Sequence, residues 1–258
     1  MMSGSHNHAH GLLLHHEGRL HRVRPQCKLA AAFLFILAVV ATPREAFWAY
    51  GCYALVLVGV ARLGRVPVPF VLRRLVIEAP FVAFAFFLPL ISQGERIDAL
   101  GLSLSVAGLW AAWNILVKGT LGVAATIIMA ATTPVAQILR GLERLRMPRV
   151  FTAIAGFMIR YTDVVTAEMR RMSVARESRG YNPRWLWQAK ALGSSAGALF
   201  IRSFERGERV YLAMLSRGFD GSLPVLEEQA ASRREWLASL AIPGLGGLVA
   251  ALAWVTRP

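Results

Sequence analysis

Residues 102–133 have the sequence LSLSVAGLWAAWNILVKGTLGVAATIIMAATT, and this long apolar run decides the fold class. A helix needs about 20 apolar residues to cross about 30 Å of hydrocarbon, so the run is long enough to span a membrane. Asn114 and Lys118 interrupt it, which leaves open one kinked helix or two shorter helices. Because a charge at that depth is costly, Lys118 marks a helix break, a contact with a partner protein or a snorkelling side chain.

Four further apolar runs accompany this one along the chain. They cover residues 29–41, 46–63, 75–92 and 236–255, and the third contains Pro80 and Pro89, which we expect to kink it. The chain of 258 residues is 55% hydrophobic with a mean hydropathy of +0.47, well above the norm for soluble domains. We therefore predict an all-α polytopic membrane protein with about five transmembrane helices.

The distribution of basic residues predicts the orientation of these helices. Arginine and lysine are concentrated in residues 19–28, in residues 62–74 and in residues 134–234, which hold 17 of them. The positive-inside rule places all three segments in the cytoplasm, and an odd number of spans then puts the C-terminus outside. A polar stretch of more than twenty residues precedes the first apolar run, so we expect no cleavable signal.

The predicted organisation has four parts. A cytoplasmic, His-rich N-terminal segment (1–28) precedes transmembrane helices 1–4 (29–133). A cytoplasmic helical segment (134–234) follows, and the last transmembrane helix occupies residues 235–258. Glu78, near the cytoplasmic end of the third run, is placed to pair with Arg73 or Arg74.

The net charge of +14 raises the alternative of nucleic-acid binding. Such domains do not carry several apolar runs of membrane length, so no nucleic-acid partner is expected. The sequence also contains no G-x-x-x-x-G-K-[ST] loop, nucleophile elbow or HExxH motif. A transport role would therefore require ATP hydrolysis in a partner chain.

A repeated octapeptide in the basic segment carries the functional signal. The first copy, ARESRGYN, is residues 175–182, and the second, AMLSRGFD, is residues 213–220. Both follow the pattern A-x-x-S-R-G-aromatic-N/D at the end of a predicted helix. These two helices run from Pro148 to Arg179 and from about Ala196 to Arg217. Between them, Pro183 begins a further helical stretch, which breaks at residues 193–195.

The second of these helices is predicted to be amphipathic. Phe200, Phe204, Tyr211 and Leu215 recur at helical spacing on one face. Beside them, Arg202, Glu205 and Arg209 have the spacing of ion pairs within a helix. The ordinary interpretation is a helical hairpin that lies on the membrane surface.

Helix-end chemistry explains most of the repeated pattern. Glycine just past a helix adopts the left-handed conformation that residues with a Cβ resist, and the following aromatic residue folds back on the last turn. One interpretation is therefore two ordinary capped helices. The other is that each tip presents a guanidinium to carboxylates and carbonyls in a partner's groove. Two equivalent tips then indicate two equivalent grooves in a pseudo-symmetric dimer.

These two helix ends, set between apolar spans, resemble the transmembrane T component of energy-coupling-factor transporters, above all the cobalt-type CbiQ family. The resemblance covers nearly the whole chain but depends on Ser178-Arg179-Gly180 and Ser216-Arg217-Gly218. The family signature has Ala where this chain has Ser. The implied coupling residues are Ala175, Ser178, Arg179 and Gly180 with Ala213, Ser216, Arg217 and Gly218.

The resemblance also implies partners and a location. Arg179 and Arg217 would seat in the grooves of a CbiO-like P-loop ATPase dimer that binds ATP and Mg, so the chain itself would carry no cofactor and catalyse no reaction. A CbiM-like substrate-binding membrane subunit, with or without a CbiN-like small subunit, would complete the complex in a bacterial inner membrane. Cobalt(II) is the implied substrate, and nickel or a vitamin is the alternative.

All six histidines lie in the first 21 residues, and His6, His8 and His10 are the candidate metal ligands. Imidazole suits Co²⁺, Ni²⁺ and Zn²⁺. The alternative is a cytoplasmic tail without a metal. A cytoplasmic tail is in either case on the wrong side to capture an imported ion.

Two other classes of function remain as alternatives. A membrane enzyme acting on an anionic lipid would need a cluster of acids or a nucleophile, whereas the basic segment offers scattered carboxylates such as Asp163 and Glu168. A secondary transporter would show ionisable residues in several spans and two related halves. The one repeat found here lies outside the apolar runs.

Overall fold

The computed structural model describes residues 23–93, 96–99, 102–181, 189–221 and 231–256. These residues form a helical protein with one short antiparallel hairpin, of strands β1 (Arg96–Ala99) and β2 (Leu102–Ser105). The helices are α1 (Pro25–Ala41), α2 (Phe47–Leu63), α3 (Val68–Arg74), α4 (Ala79–Ile91), α5 (Val106–Thr132), α6 (Val135–Arg144), α7 (Arg149–Ser178), α8 (Ala189–Leu215) and α9 (Arg233–Val255).

The chain divides into two compact units. One unit contains α7 and α8, and the other contains α1–α6 and α9. The predicted all-α fold is confirmed.

The longest predicted run forms one continuous helix, α5, so the two-helix alternative is excluded. Its predicted start at residue 102 is wrong, because Leu102–Ser105 pairs with Arg96–Ala99 as a strand. Ser105 is the N-cap of α5, and its hydroxyl oxygen accepts a hydrogen bond from the Gly108 backbone N–H, 3.4 Å away. A serine in this position satisfies a backbone donor that the first turn leaves free.

Two long-range contacts show that the first and last helices of the larger unit are parallel. At one end, Arg24 Nε lies 3.1 Å from a carboxylate oxygen of Glu235. At the other end, the indole N–H of Trp254 donates to the carbonyl of Ala41 at 2.9 Å. The amino ends of α1 and α9 are therefore on the same face.

Two lysines join α1 to α5, which runs in the opposite direction. Lys28 Nζ, near the start of α1, donates to the Thr132 carbonyl at 3.1 Å. Lys118 Nζ donates to the carbonyl of Val40, in the last turn of α1, at 2.7 Å. Lys118 thus lies within a continuous helix, which excludes the helix break among its three interpretations.

Helix α4 is also antiparallel to α5 and approaches it closely. A Cβ added to Gly108 would lie 2.6 Å from the Leu88 carbonyl oxygen and 2.7 Å from Pro89 Cα. Farther along α5, the Thr120 hydroxyl donates to the buried carboxylate of Glu78 at 3.0 Å. A 3-10 helix, Leu75–Glu78, joins α3 to α4. It ends two residues before Pro80, whose missing N–H cannot continue an α-helical ladder.

Helix α6 packs against the amino end of α1. A Cβ on Gly141 would meet Leu29 Cδ1 at 2.6 Å and the Gln26 backbone nitrogen at 3.1 Å. The amino end of α1 therefore shares one face of this unit with the end of α5, with α6 and with the start of α9. The chain therefore leaves this unit after α6 and re-enters it before α9 on one face.

The larger unit has a buried core and also exposes large apolar side chains on its outer surface. Tyr53 is fully buried, and its hydroxyl bonds to the Thr42 hydroxyl at 2.8 Å and donates to the Gly246 carbonyl at 3.1 Å. Leu55 and Phe86, in contrast, are 73% and 74% exposed. Apolar side chains on the outer surface of a helical bundle are typical of contact with lipid.

Four helical stretches within the described residues are long and apolar enough to cross a membrane: Val68–Ile91, Val106–Thr132, Arg149–Ser178 and Arg233–Val255. Helices α1 and α2 are apolar but shorter, with 17 residues each. These helices agree with a polytopic membrane protein. The third stretch is α7, which belongs to the segment that we expected to be cytoplasmic.

Candidate functional site

The first copy of the octapeptide ends α7 in a Schellman motif. The Tyr181 backbone N–H donates to the Arg176 carbonyl at 3.1 Å, and the Gly180 N–H donates to the Glu177 carbonyl at 2.9 Å. Arg179 is the C-cap. Both hydrogen bonds span the turn that contains Gly180. The φ of Gly180 is +76°, a conformation that favours glycine.

The second copy ends α8 with the same geometry. The Phe219 N–H donates to the Met214 carbonyl at 3.0 Å, and the Gly218 N–H donates to the Leu215 carbonyl at 3.0 Å. Gly218 has a φ of +80°. A Cβ at Gly180 or Gly218 would meet nothing within 4 Å, so backbone conformation rather than space requires glycine there.

The serines of the two copies have matching local roles. Ser178 Oγ donates to the Ala175 carbonyl at 3.0 Å, and Ser216 Oγ donates to the Ala213 carbonyl at 2.9 Å. Each hydroxyl therefore satisfies a carbonyl of the last helical turn. Because these bonds stay within the helix, serine in place of the family's alanine leaves the course of the backbone unchanged.

Both arginines of the pattern are exposed, Arg179 at the end of α7 and Arg217 at the end of α8. The capped ends that the sequence predicted are confirmed. Capping alone does not use the two guanidinium groups, which are left available to a partner.

A contact that the sequence did not predict joins α7 to α8. Glu168, in the charged second half of α7, accepts a hydrogen bond from Arg202 Nη1 of α8 at 2.6 Å. Its other carboxylate oxygen accepts from Arg171 Nη2 at 2.5 Å. The spacing of Glu168 and Arg171 was visible in the sequence, but nothing local indicated a partner 34 residues away.

The predicted pairs along α8 are therefore only partly right. Arg209 lies 4.0 Å from Glu205 of the same helix, as the spacing predicts. Arg202, expected to pair with Glu205, pairs with Glu168 of α7. The ion pair thus lies between the helices rather than along one of them.

A groove of about 340 Å³ lies between α7 and α8. Phe157, Tyr161 and Val164 line it from α7, and Leu199, Val210 and Tyr211 line it from α8. On the predicted apolar face of α8, Phe200 is 72% exposed and Phe204 is 66% exposed. Within this unit, that face is open rather than packed.

The candidate metal ligands His6, His8 and His10 lie outside the described residues. Among the residues that are described, no group of three or more His, Cys, Asp or Glu side chains could hold a metal ion. The tail therefore stays a prediction from sequence.

The family profile described as CbiQ, cobalt transport protein, matches residues 16–227. The chain belongs to the CbiQ family. The matched region contains both arginine–glycine helix ends, so the resemblance inferred from those residues is confirmed.

Three relatives of this CbiQ-family chain illustrate its similarity to other proteins. An uncharacterised protein of Methanocaldococcus jannaschii is 30% identical over 57% of the chain, which spans about half, 55%, of that protein's length. A Methanocorpusculum labreanum protein with the provisional name fused cobalt transport protein CbiMQ is 28% identical over 52% of the chain and 22% of its own length. The energy-coupling factor transporter transmembrane protein EcfT of Bacillus subtilis is 26% identical over 78% of the chain and 81% of its own length.

Proposed function

We propose that this chain is the membrane-embedded energy-coupling subunit of an ATP-driven importer of cobalt(II). It carries out no covalent step. A P-loop ATPase dimer, CbiO-like, binds ATP and Mg and moves two helix ends of this chain. The observation that carries the proposal is the matched pair of Schellman ends, each with an exposed arginine directly before its left-handed glycine.

The geometry of the ends suits docking in two equivalent clefts. A guanidinium offers five donors in a planar fork, which fits carboxylates and backbone carbonyls. The left-handed glycine after each arginine fixes the direction in which the chain leaves the helix, so the tip is short and rigid. Two tips of the same local geometry fit a partner with two copies of one cleft.

The family and the relatives support the other parts of the proposal. The profile is described as a cobalt transport protein, and one relative has the provisional name fused cobalt transport protein CbiMQ. A CbiM-like membrane subunit therefore binds the ion, with or without a CbiN-like small subunit. Nickel or a vitamin is the second candidate substrate, since the EcfT name of another relative specifies no substrate.

The charge pattern supports an orientation in a bacterial inner membrane with the amino end in the cytoplasm. Arg24 and Lys28 lie on the face where the chain leaves the larger unit after α6 and re-enters it before α9. The ATPase then binds on that side, where ATP is available. An enzyme acting on lipid is disfavoured, because Glu168 is engaged by two arginines and is not a free acid.

The direct test is reversal of the two tip charges. Arg179→Glu combined with Arg217→Glu is expected to abolish transport and to reduce co-purification of the ATPase, while membrane insertion is unchanged. The matched control is Arg170→Glu with Arg209→Glu, which makes the same charge change at exposed positions within the same two helices. Undiminished ATPase co-purification with the tip variant would refute the docking proposal.

A further inference from the structure

We propose that Glu168 and Arg202 form the pivot about which α7 and α8 turn when the ATPase moves their ends. The inference rests on the proposed function, and it assigns a positioning role to two residues outside the repeated pattern. The pair joins the two helices at a carboxylate–guanidinium distance of 2.6 Å.

Side-chain packing does not fix the angle between these helices. Among the described residues of α7, Thr152 alone is buried, and no described side chain of α8 is buried. Apolar residues of both helices line the groove of about 340 Å³ between them. Ridges and grooves that interlock along two helices allow only a few crossing angles, and the small number of buried side chains here leaves α7 and α8 able to rotate against each other.

The ion pair supplies the fixed point for that rotation. One oxygen of Glu168 binds Arg202, and the other binds Arg171 of its own helix. Arg171 therefore orients the carboxylate on α7, and Arg202 ties it to α8. The Glu168 side chain is 16% exposed and that of Arg202 is 61% exposed, so the contact lies at the edge of the groove. An ion pair between two charged side chains keeps the distance between the helices while allowing the angle between them to change.

Because the pivot lies partway along α7, this helix can act as a lever. Arg179 lies 11 residues beyond Glu168, about 16 Å at 1.5 Å per residue. Arg149, at the opposite end of α7, lies 19 residues before Glu168, about 28 Å away. A displacement of the docked tip therefore moves the other end of the helix roughly 1.7-fold farther, in the opposite direction.

The first experiment measures cobalt(II) transported per ATP hydrolysed by the full complex in liposomes. Glu168→Gln and Arg202→Gln are each expected to lower this ratio about fivefold, while the ATPase still co-purifies through the unchanged tips. Arg202→Lys keeps the cross-helix charge and should retain the ratio. The control Glu205→Gln removes an ion pair within α8 and should leave the ratio unchanged.

Two results of this experiment would overturn the pivot. One is an unchanged ratio in both glutamine variants. The other is loss of ATPase co-purification in those variants, because the pair would then serve docking rather than rotation. Failure of the docking proposal is recognised separately, by co-purification with the tip charges reversed.

A second experiment tests the pivot without the ATPase. Spin labels at Ala167→Cys and Glu208→Cys, in the full chain with Cys27→Ala and Cys52→Ala, report the distance between α7 and α8 in lipid nanodiscs. Both label sites are exposed. The distance distribution is expected to broaden in Glu168→Gln and in Arg202→Gln but not in Glu205→Gln. Equal widths in all four proteins would show that the ion pair does not hold the crossing.

Discussion

The buried Lys28 donates from Nζ to the carbonyl oxygen of Thr132, 3.1 Å away, so the first helix caps the end of the fifth. The same ammonium group donates to the Thr133 hydroxyl at 3.3 Å. A cation at the C-terminal end of a helix is favoured by the helix dipole. Lys28 therefore stabilises α5 from another part of the chain.

We predict that Lys28→Met lowers the stability of the larger unit by about 1–3 kcal/mol, because the Thr132 carbonyl loses a partner inside the protein. Thermal unfolding of the detergent-solubilised chain measures the effect. Lys118→Met is the comparison, since Lys118 also donates to a helix-end carbonyl but is more exposed. It should lose less stability. A larger loss at Lys118 would contradict the capping role of Lys28.

Close approach of α4 to α5 gives a second prediction. Gly108→Ala places a Cβ 2.6 Å from the Leu88 carbonyl oxygen, and backbone atoms on both helices leave no flexible side chain to move aside. We expect a loss of about 1–3 kcal/mol in the same unfolding measurement. Gly122→Ala is the matched control in α5, because a Cβ there meets nothing within 4 Å. Equal stability of the two variants would exclude the close contact.

The tip glycines give a third prediction, on backbone conformation. Gly180→Ala and Gly218→Ala each force a Cβ into the left-handed region, at a cost of about 1–2 kcal/mol, and should weaken ATPase co-purification by displacing Arg179 and Arg217. Asn in place of each glycine should preserve binding better, since Asn tolerates that conformation. Gly207→Ala, in open space within α8, is the control. Full binding by the alanine variants would show that the tip geometry is not required.

The histidine-rich tail gives a fourth prediction. Deletion of residues 3–16 should leave cobalt(II) uptake by the assembled importer largely intact, because a cytoplasmic tail is not on the side from which the ion enters. Uptake is measured in cells and normalised to the amount of chain in the membrane. Lost uptake at a normal amount of chain would assign the histidines a role in transport.

The sequence predicted the helix ends well because their chemistry is local. Gly180 and Gly218 follow the last turn of their helices as the Ser-Arg-Gly pattern requires, and two backbone hydrogen bonds in each copy complete the motif. The predicted break at residues 193–195 is wrong, because α8 continues through them. One glycine costs a helix about 1 kcal/mol, less than the helical residues on both sides contribute together.

Other features depended on distant residues and were harder to predict. The alternation Leu-Ser-Leu-Ser before α5 has the period of a strand, yet the apolar run that follows concealed it. Glu168 looked like a scattered carboxylate because its partner Arg202 is on another helix. The parallel arrangement of α1 and α9 depends on contacts between residues more than 200 positions apart, such as Arg24 with Glu235.

That parallel arrangement has a consequence for biosynthesis. Phe35 and Val39 of α1 belong to the core that Ala253 of α9 completes, but the ribosome makes α9 only after α7 and α8 have emerged. The helices made before α9 therefore lie in the bilayer with one side of α1 uncovered until translation is nearly finished. A nascent chain arrested before residue 233 is consequently an open assembly, and cellular quality control could recognise it by that uncovered side.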